Sequence, residues 1–290
     1  MAYQIITDST TDLTPELTAQ MNVSVLPLTV HIDGKEFEDH PYGDELPAKK
    51  FYDMIRAGAM PTTSQVTPER FAEVFRKVLD EGKDVLYLGF SSGLSGTVNA
   101  ARIAAQDLAE EYPGRKIRTV DTLAASMGEG LLVYLACKKR DEGMDIDELA
   151  GWVERERLHL SHWFTVDDLN HLKRGGRVSG AAAFFGTMLN IKPVLHVDDE
   201  GHLIPMEKVR GRRASLDALV AHMKKTAIDP ENQVIFISHS DCLDDAQYVG
   251  DQIKAQLGVK EVHIGYIGPV IGSHTGVGTV ALFFVAKNRD

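Results

Sequence analysis

The sequence predicts an α/β protein of two domains, an N-terminal mainly parallel sheet with flanking helices followed by a C-terminal mixed sheet with helices. Three observations carry that prediction. Through the first half, short β-branched apolar runs alternate with segments of helical period, the pattern of a parallel sheet with crossover helices. In the second half Asp198-Asp199-Glu200-Gly201 joins two strand-like runs as a hairpin turn, so antiparallel pairs enter that sheet. The chain has 290 residues, more than one domain usually holds, and we divide it into 1–160 and 161–290.

YQIIT, VSVLPLTVHI, DVLYLGF and KIRTVD are the strands expected in the first half. Thr14-Pro15-Glu16 combines an N-cap, a proline at the first helical position and a first-turn acid, and Thr67-Pro68-Glu69 repeats that start signal. Behind the second start, Phe71, Val74, Phe75 and Val78 recur at i, i+3, i+4 and i+7, which predicts an amphipathic helix. SGTVNAARIAAQDLA predicts another helix opening near Ser95, and Asp145 with Glu148 resembles a capping box that starts a helix over about 145–160. HWFTVDD, IKPVLHVDDEGHLIPMEKVRG, QVIFISH and EVHIGYIG then read as strands, covered by helical runs at 213–226 and 242–257. GAAAFFGTMLN adds a short, nearly uncharged helix with large apolar side chains.

Composition narrows the function. Apolar residues make up 43% and charged residues 25%, as in an ordinary globular protein, and the net charge of −11 disfavours broad binding to nucleic acid or anionic membranes. Two basic clusters stand against that background, KRGGR at 173–177 and RGRR at 210–213. Cys137 and Cys242 lack the spacing of a disulfide framework or a zinc site, so no metal is expected. MAYQIITDST carries no signal-peptide pattern, no run reaches the ~20 apolar residues of a membrane span, and a cytoplasmic location is expected.

GFSSGLSGT at 89–97 falls at the carboxyl end of a predicted strand, where open α/β sheets bind ligands. Gly93 and Gly96 let backbone approach a ligand, the following helix start favours an anion, and Ser92, Ser95 and Thr97 add donors. Similar polar turns are Thr7-Asp8-Ser9-Thr10, PTTSQ at 61–65 and GSHTGVG at 272–278. Asp8 and Ser9 read as structural, whereas His274 among glycines and hydroxyls lacks the apolar neighbours of a core histidine. Gly89-Phe90-Ser91-Ser92-Gly93 also matches the nucleophile-elbow pattern, so a serine hydrolase using Ser91 or Ser95 with His239 or His274 is the alternative. The helix of a true elbow starts directly after the nucleophile, and here Leu94-Ser95-Gly96 intervenes. Neither a P-loop nor a dinucleotide fingerprint is present.

In this order, TDSTTDL, PLTVHIDG, PTTSQVTPERF, SSGLSGT, VDTLAASMGEG, LKRGGRVSG, KPVLHVDDEGHL, VRGRR and GSHTGVG resemble the DegV family over nearly the whole chain. The resemblance implies a two-domain protein that binds one long-chain fatty acid and needs no cofactor. It further implies the acyl-carrying subunit of a bacterial fatty acid kinase, in phospholipid metabolism, with ATP and the chemistry supplied by a partner kinase subunit. By motif, the ligand carboxylate meets Thr63, Ser92 or Ser95, and His274, with Thr62, Gly96 and Thr97 in the same loops. Phe184, Phe185, Met188 and Leu189 are expected in the acyl tunnel, and Arg174, Arg177, Arg210 and Arg212 at the kinase or its ATP. Val66 and Val277 stand where the family often has proline. A fatty acid suits the physics. A tail of roughly 14 to 18 carbons contributes ~0.8 kcal/mol per buried methylene, on the order of 11 kcal/mol for a sixteen-carbon acid before ordering costs.

Overall fold

A computed structural model describes residues 2–41, 43, 45–178 and 190–289. The elements run β1 (Tyr3–Asp8), α1 (Pro15–Met21), β2 (Ser24–Leu26), β3 (Thr29–Ile32), β4 (Lys35–Glu38), α2 (Ala48–Arg56), β5 (Thr62–Ser64), α3 (Pro68–Asp80), β6 (Asp84–Gly89), α4 (Thr97–Glu111), β7 (Ile117–Asp121), α5 (Met127–Asp141) and α6 (Ile146–Glu156). After them come β8 (Leu160–Thr165), α7 (Asn170–Gly175), β9 (Ile191–Val197), β10 (Leu203–Arg210), α8 (Arg212–Thr226), β11 (Val234–His239), α9 (Leu243–Leu257), β12 (Glu261–Tyr266), α10 (Pro269–Thr275) and β13 (Val280–Val285). No helix among the described residues is long and apolar enough to cross a membrane.

The first sheet has the order β2-β1-β6-β7 and is parallel throughout. Its central strands bury both faces, which is why DVLYLG is apolar at nearly every position. Ile6, Val85 and Tyr87 pack with α3 and α4, while Ile5, Leu86 and Leu88 share a core with α5 and α6. Thr14, Thr67 and Asp145 cap their helices as the sequence predicts, and Asp145 with Glu148 forms the full capping box.

The second large sheet, β10-β9-β8-β13-β11-β12, is mixed: β11 and β12 are parallel and the other pairs antiparallel. Helices α8 and α9 cover one face. Against the other lies α5, which also packs on the first sheet, so one helix is the shared core of both. Gly128 makes this possible, because a Cβ there would collide with the His162 ring and approach Phe283 to 2.7 Å.

A small antiparallel sheet, β4-β3-β5, departs from expectation. VSVLPLTVHI is two strands in two sheets, broken at Pro27-Leu28, and Thr62–Ser64 of PTTSQ is an edge strand, not a turn. The helix expected at Ser95 begins at Thr97 with Gly96 at its N-cap, and His274 sits in the last turn of a helix where a loop was expected.

Candidate functional site

Strand alternation decides what each residue of the T-S-Q segment can touch. Thr63 points inward and lies 2.9 Å from His274 Nε2 through its Oγ1, a hydrogen bond between the small sheet and α10. Thr62 and Ser64 face the other way and are exposed. On that outer face Ser64 Oγ meets His31 Nε2 at 2.6 Å, and His31 Nδ1 meets Glu36 Oε1 at 3.2 Å. The spacing is that of a triad, but alternation turns the hydroxyl away from Thr63.

His274 is held from behind by the KRGGR segment, since a Cβ on Gly175 would collide with its Nδ1. That nitrogen is buried without a partner. Burial, with the nearby Arg177 guanidinium adding to it, pushes the imidazole down to about 4, so the ring is neutral at pH 7. A neutral imidazole beside a hydroxyl offers polarity without fixed charge.

The serine and glycine turn after β6 closes the site. Gly96 approaches Gln65 so closely that a Cβ would collide with its Oε1. Ser95 Oγ lies 2.9 Å from Thr97 Oγ1 and accepts from the Thr97 N–H at 3.3 Å. Ser91 is buried and donates to Gly201 O at 2.8 Å, which ties the turn to the β9–β10 hairpin. At Gly93 a Cβ would lie 2.8 Å from Glu200 O and 2.9 Å from Gly201 O, both backbone atoms that cannot swing aside. Gly93→Ala is therefore expected to cost about 1–3 kcal/mol and lower Tm by about 2 to 12 °C in a calorimetric scan; an unchanged Tm would show that the hairpin yields.

These segments enclose one end of a cavity of about 480 Å³ between the two large sheets, within the range of small-molecule sites. Of the residues expected at the ligand, Thr63, Ser95, Gly96 and His274 line it, together with Gln65, which the sequence reading did not single out. Arg177, expected at a partner, also lines it, beside His274. The remaining wall is mostly apolar and includes Phe90, Leu94, Phe164, Ala281 and Phe283. Thr279, directly before β13, alternates with Ala281 and Phe283 within it, and this run carries the cavity roughly 13 Å from the His274 end toward His162, the partner of Phe283 in the sheet register.

Other expected residues lie elsewhere. Ser92 is exposed and its N–H donates to Asp121 Oδ1 at 3.2 Å. Thr97 is buried at the start of α4 and does not line the cavity. Arg212 is committed within the chain, 2.8 Å from Asp245 Oδ2 and 3.6 Å from Asp167 Oδ1. Arg174 bonds His171 Nδ1 at 3.0 Å and, like Arg210, is exposed. Phe184, Phe185, Met188 and Leu189 lie outside the described residues. Among the described residues the grouping with metal-ligand spacing is Asp198, Glu200 and His202 on the β9–β10 hairpin, off the cavity wall.

Behind the site lies a buried acidic network. Asp8 does fix the first turn: its Oδ1 accepts from the Thr10 N–H and hydroxyl at 3.1 and 2.5 Å, and its Oδ2 from the Tyr87 hydroxyl and the Phe90 N–H. Thr10 Oγ1 also lies 2.8 Å from Glu129 Oε2, and Thr7 Oγ1, whose proton goes to Leu88 O, lies 3.4 Å from Glu129 Oε1. Two hydroxyl protons cannot serve four acceptors, so Glu129 brings its own as a neutral acid. Burial, reinforced by Asp8, holds its carboxyl well above the usual range.

Burial likewise pushes Asp39 up to about 7. The unfolded chain releases this proton near 3.8, so the folded state holds it over a window where the unfolded one does not. The stabilisation is complete below about 4 and is lost as pH rises through about 7. Asp39→Asn should flatten that slope and raise stability at pH ~8 relative to pH ~4 by up to on the order of 4 kcal/mol, read from urea unfolding at both pH values; parallel wild-type and variant curves would refute it.

Three comparisons bear on this architecture. A model of the DegV family, described as uncharacterised proteins, matches residues 2–287. A DegV domain-containing protein of Clostridium perfringens is 46% identical over 288 residues, 99% of each chain. Among solved structures, a DegV family protein from Thermus thermophilus described for its fatty acid binding is 35% identical with a TM-score of 0.87, covering 99% of this chain and 100% of its own. A fatty acid binding DegV family protein from Streptococcus agalactiae is 32% identical with a TM-score of 0.85, over 99% and 100%. The family model matches nearly the whole chain, as does the relative at 46% identity, and this chain belongs to the DegV family.

Proposed function

We propose that the protein binds one long-chain fatty acid, its tail in the apolar cavity and its carboxylate at Thr63, Ser95 and His274. One observation carries the reading: a hydroxyl and a neutral imidazole 2.9 Å apart stand at the end of a cavity whose wall is otherwise mostly apolar. If Nε2 carries the ring proton it donates to Thr63 Oγ1, which frees the Thr63 hydroxyl proton for the ligand. Residues 1–160 supply Thr63 and Ser95 and residues 161–290 supply His274, so the head group bridges the two proposed domains. Arg177 at the rim adds a positive field without a buried ion pair. The similar proteins from Thermus thermophilus and Streptococcus agalactiae, both described as fatty acid binding, support this ligand class. Mass spectrometry of organic extracts from native protein should find about one equivalent of a fatty acid of roughly 14 to 18 carbons; protein that neither yields nor takes up such an acid would sink the reading.

The finer role is that of a cytoplasmic carrier, not an enzyme, which presents the carboxylate to a separate ATP-dependent kinase subunit. Exposed Arg174 and Arg210 are the proposed contacts to that partner. Arg174→Glu with Arg210→Glu should leave bound lipid intact and slow partner-dependent phosphorylation about tenfold or more; undiminished turnover removes these residues from the interface. The hydrolase alternative loses support because Ser91 spends its hydroxyl on Gly201 O and Ser95 meets Thr97, while the cavity imidazole is paired with Thr63.

A further inference from the structure

The start of α10 sets up a second assignment, which rests on the reading of Thr63 and His274 as the head-group end. Pro269 at the first helical position has no N–H, so the free donors there are those of Gly268, Val270 and Ile271. The Gly268 N–H donates to Asp12 Oδ1 at 2.8 Å and the Val270 N–H to Asp39 Oδ2 at 3.2 Å. Both acids are buried and come from distant segments, yet a Cβ on Gly268 would lie 2.8 Å from Asp12 Oδ1 and 3.3 Å from Asp39 Oδ2. The Tyr52 hydroxyl donates to Ile267 O at 2.7 Å, so the approach to the helix is held as well. Ser126, on the cavity wall, donates to Asp12 Oδ2 at 2.5 Å. His274 lies six residues beyond Gly268, about 9 Å along the axis.

We propose that Asp12 and Asp39 are positioning residues for His274: they clasp the start of α10 so that its far end holds the imidazole against Thr63, and Ser126 joins this clasp to the cavity wall. Burial holds Asp12 well above the usual carboxylate range and Asp39 up to about 7, yet a carboxyl oxygen accepts from the free N–H groups of a helix start in either form, more strongly when ionised. A helix of 7 residues gripped at one end moves as a unit, so a shift at Gly268 is a shift at His274. Misplacement of about 1 Å is enough to weaken a short hydrogen bond severely.

The groups that face Asp39 are Asp8 at the end of β1 and Asp12 after it, Tyr52 and Lys49 of α2, His40 beside it and Tyr266 at the end of β12, with Glu129 of α5 beyond Asp8 and Asp12. Arg177, and His171 of α7, stand at the other end of α10. Asp39 changes from acid to carboxylate around pH 7, and its hydrogen bond to Val270 strengthens as it does. His274, held down to about 4, does not itself titrate there.

Magnetic resonance of the isotope-labelled, ligand-free protein tests this, with the His274 ring signals identified by their loss in His274→Gln. In wild type these signals should move with a midpoint near 7, reporting Asp39 and not the imidazole. Asp39→Asn keeps an acceptor but cannot ionise, so the step should vanish while the signal stays near its wild-type position. Asp39→Ala should displace the signal at every pH and weaken binding of a fluorescent fatty acid about tenfold, with recovery in Asp39→Asn. A step near 7 that survives in Asp39→Asn, or a His274 signal unmoved by Asp39→Ala in folded protein, overturns the proposal. Should Asp39→Ala not fold, the Asp39→Asn titration decides alone. Wild type without affinity for fatty acids would overturn the proposed function instead, because the ring signals are read without ligand.

Discussion

His274→Ala is expected to weaken binding of a long-chain fatty acid about 10- to 100-fold, and Thr63→Val about tenfold. Both side chains act on the head group. Each loss leaves a buried partner or a ligand oxygen without its hydrogen bond, which costs about 1–3 kcal/mol. Binding should not vanish, because the tail contributes on the order of 11 kcal/mol before ordering costs. The two effects should fall short of additive, since the residues touch each other at 2.9 Å and either change disturbs both. Displacement of a fluorescent fatty acid, run beside a melting curve to confirm folding, measures the two single variants and the double variant that combines them. Full affinity in folded His274→Ala would move the head group away from α10.

Ala281→Phe is expected to change which chains fit. Ala281 lies on the cavity face of β13 between Phe283 and Thr279, which directly precedes the strand, and stands opposite Phe164 in the sheet. A phenyl group there should obstruct the cavity partway along its length. A sixteen-carbon acid should then lose about 100-fold or more in affinity, as several methylenes at ~0.8 kcal/mol each are left unburied, while an acid of about eight carbons loses little. Overpacking should cost the fold about 1–3 kcal/mol as well. The decisive measurement is a chain-length series on wild type and variant, and an unchanged preference for long chains would exclude β13 from the tail path.

The helix starts were legible from sequence because their signals are local. Thr67 and its neighbours cap α3 through atoms within four residues of one another, and the Asp145 capping box works the same way. Helix α5 gave no such reading. Its residues are buried nearly all round, so the one-sided 3.6-residue stripe that marks a surface helix is missing. VALFFV of β13 joins the middle of its sheet between β8 and β11, and only its alternation hints at which residues face the cavity. Thr63 was recognisable as a site residue through its motif, but its inward direction follows from the pairing of β5 with β3. Asp12 and Asp39 carried no local sign, since their partners are backbone donors more than 200 residues away.

By itself the sequence determined the α/β class, the capped helices, the acidic character and the short polar motifs from which family membership could be read. Those features depend on neighbours within one turn or on composition. Tertiary structure alone decided that Thr63, Ser95 and His274 line one mostly apolar cavity, that the Ser92 N–H meets Asp121 and the Arg212 guanidinium meets Asp245, and that two buried acids accept from the start of α10. Direction and distance between segments far apart in the chain arise from how two sheets pack on one buried helix, and that packing is a property of the whole core.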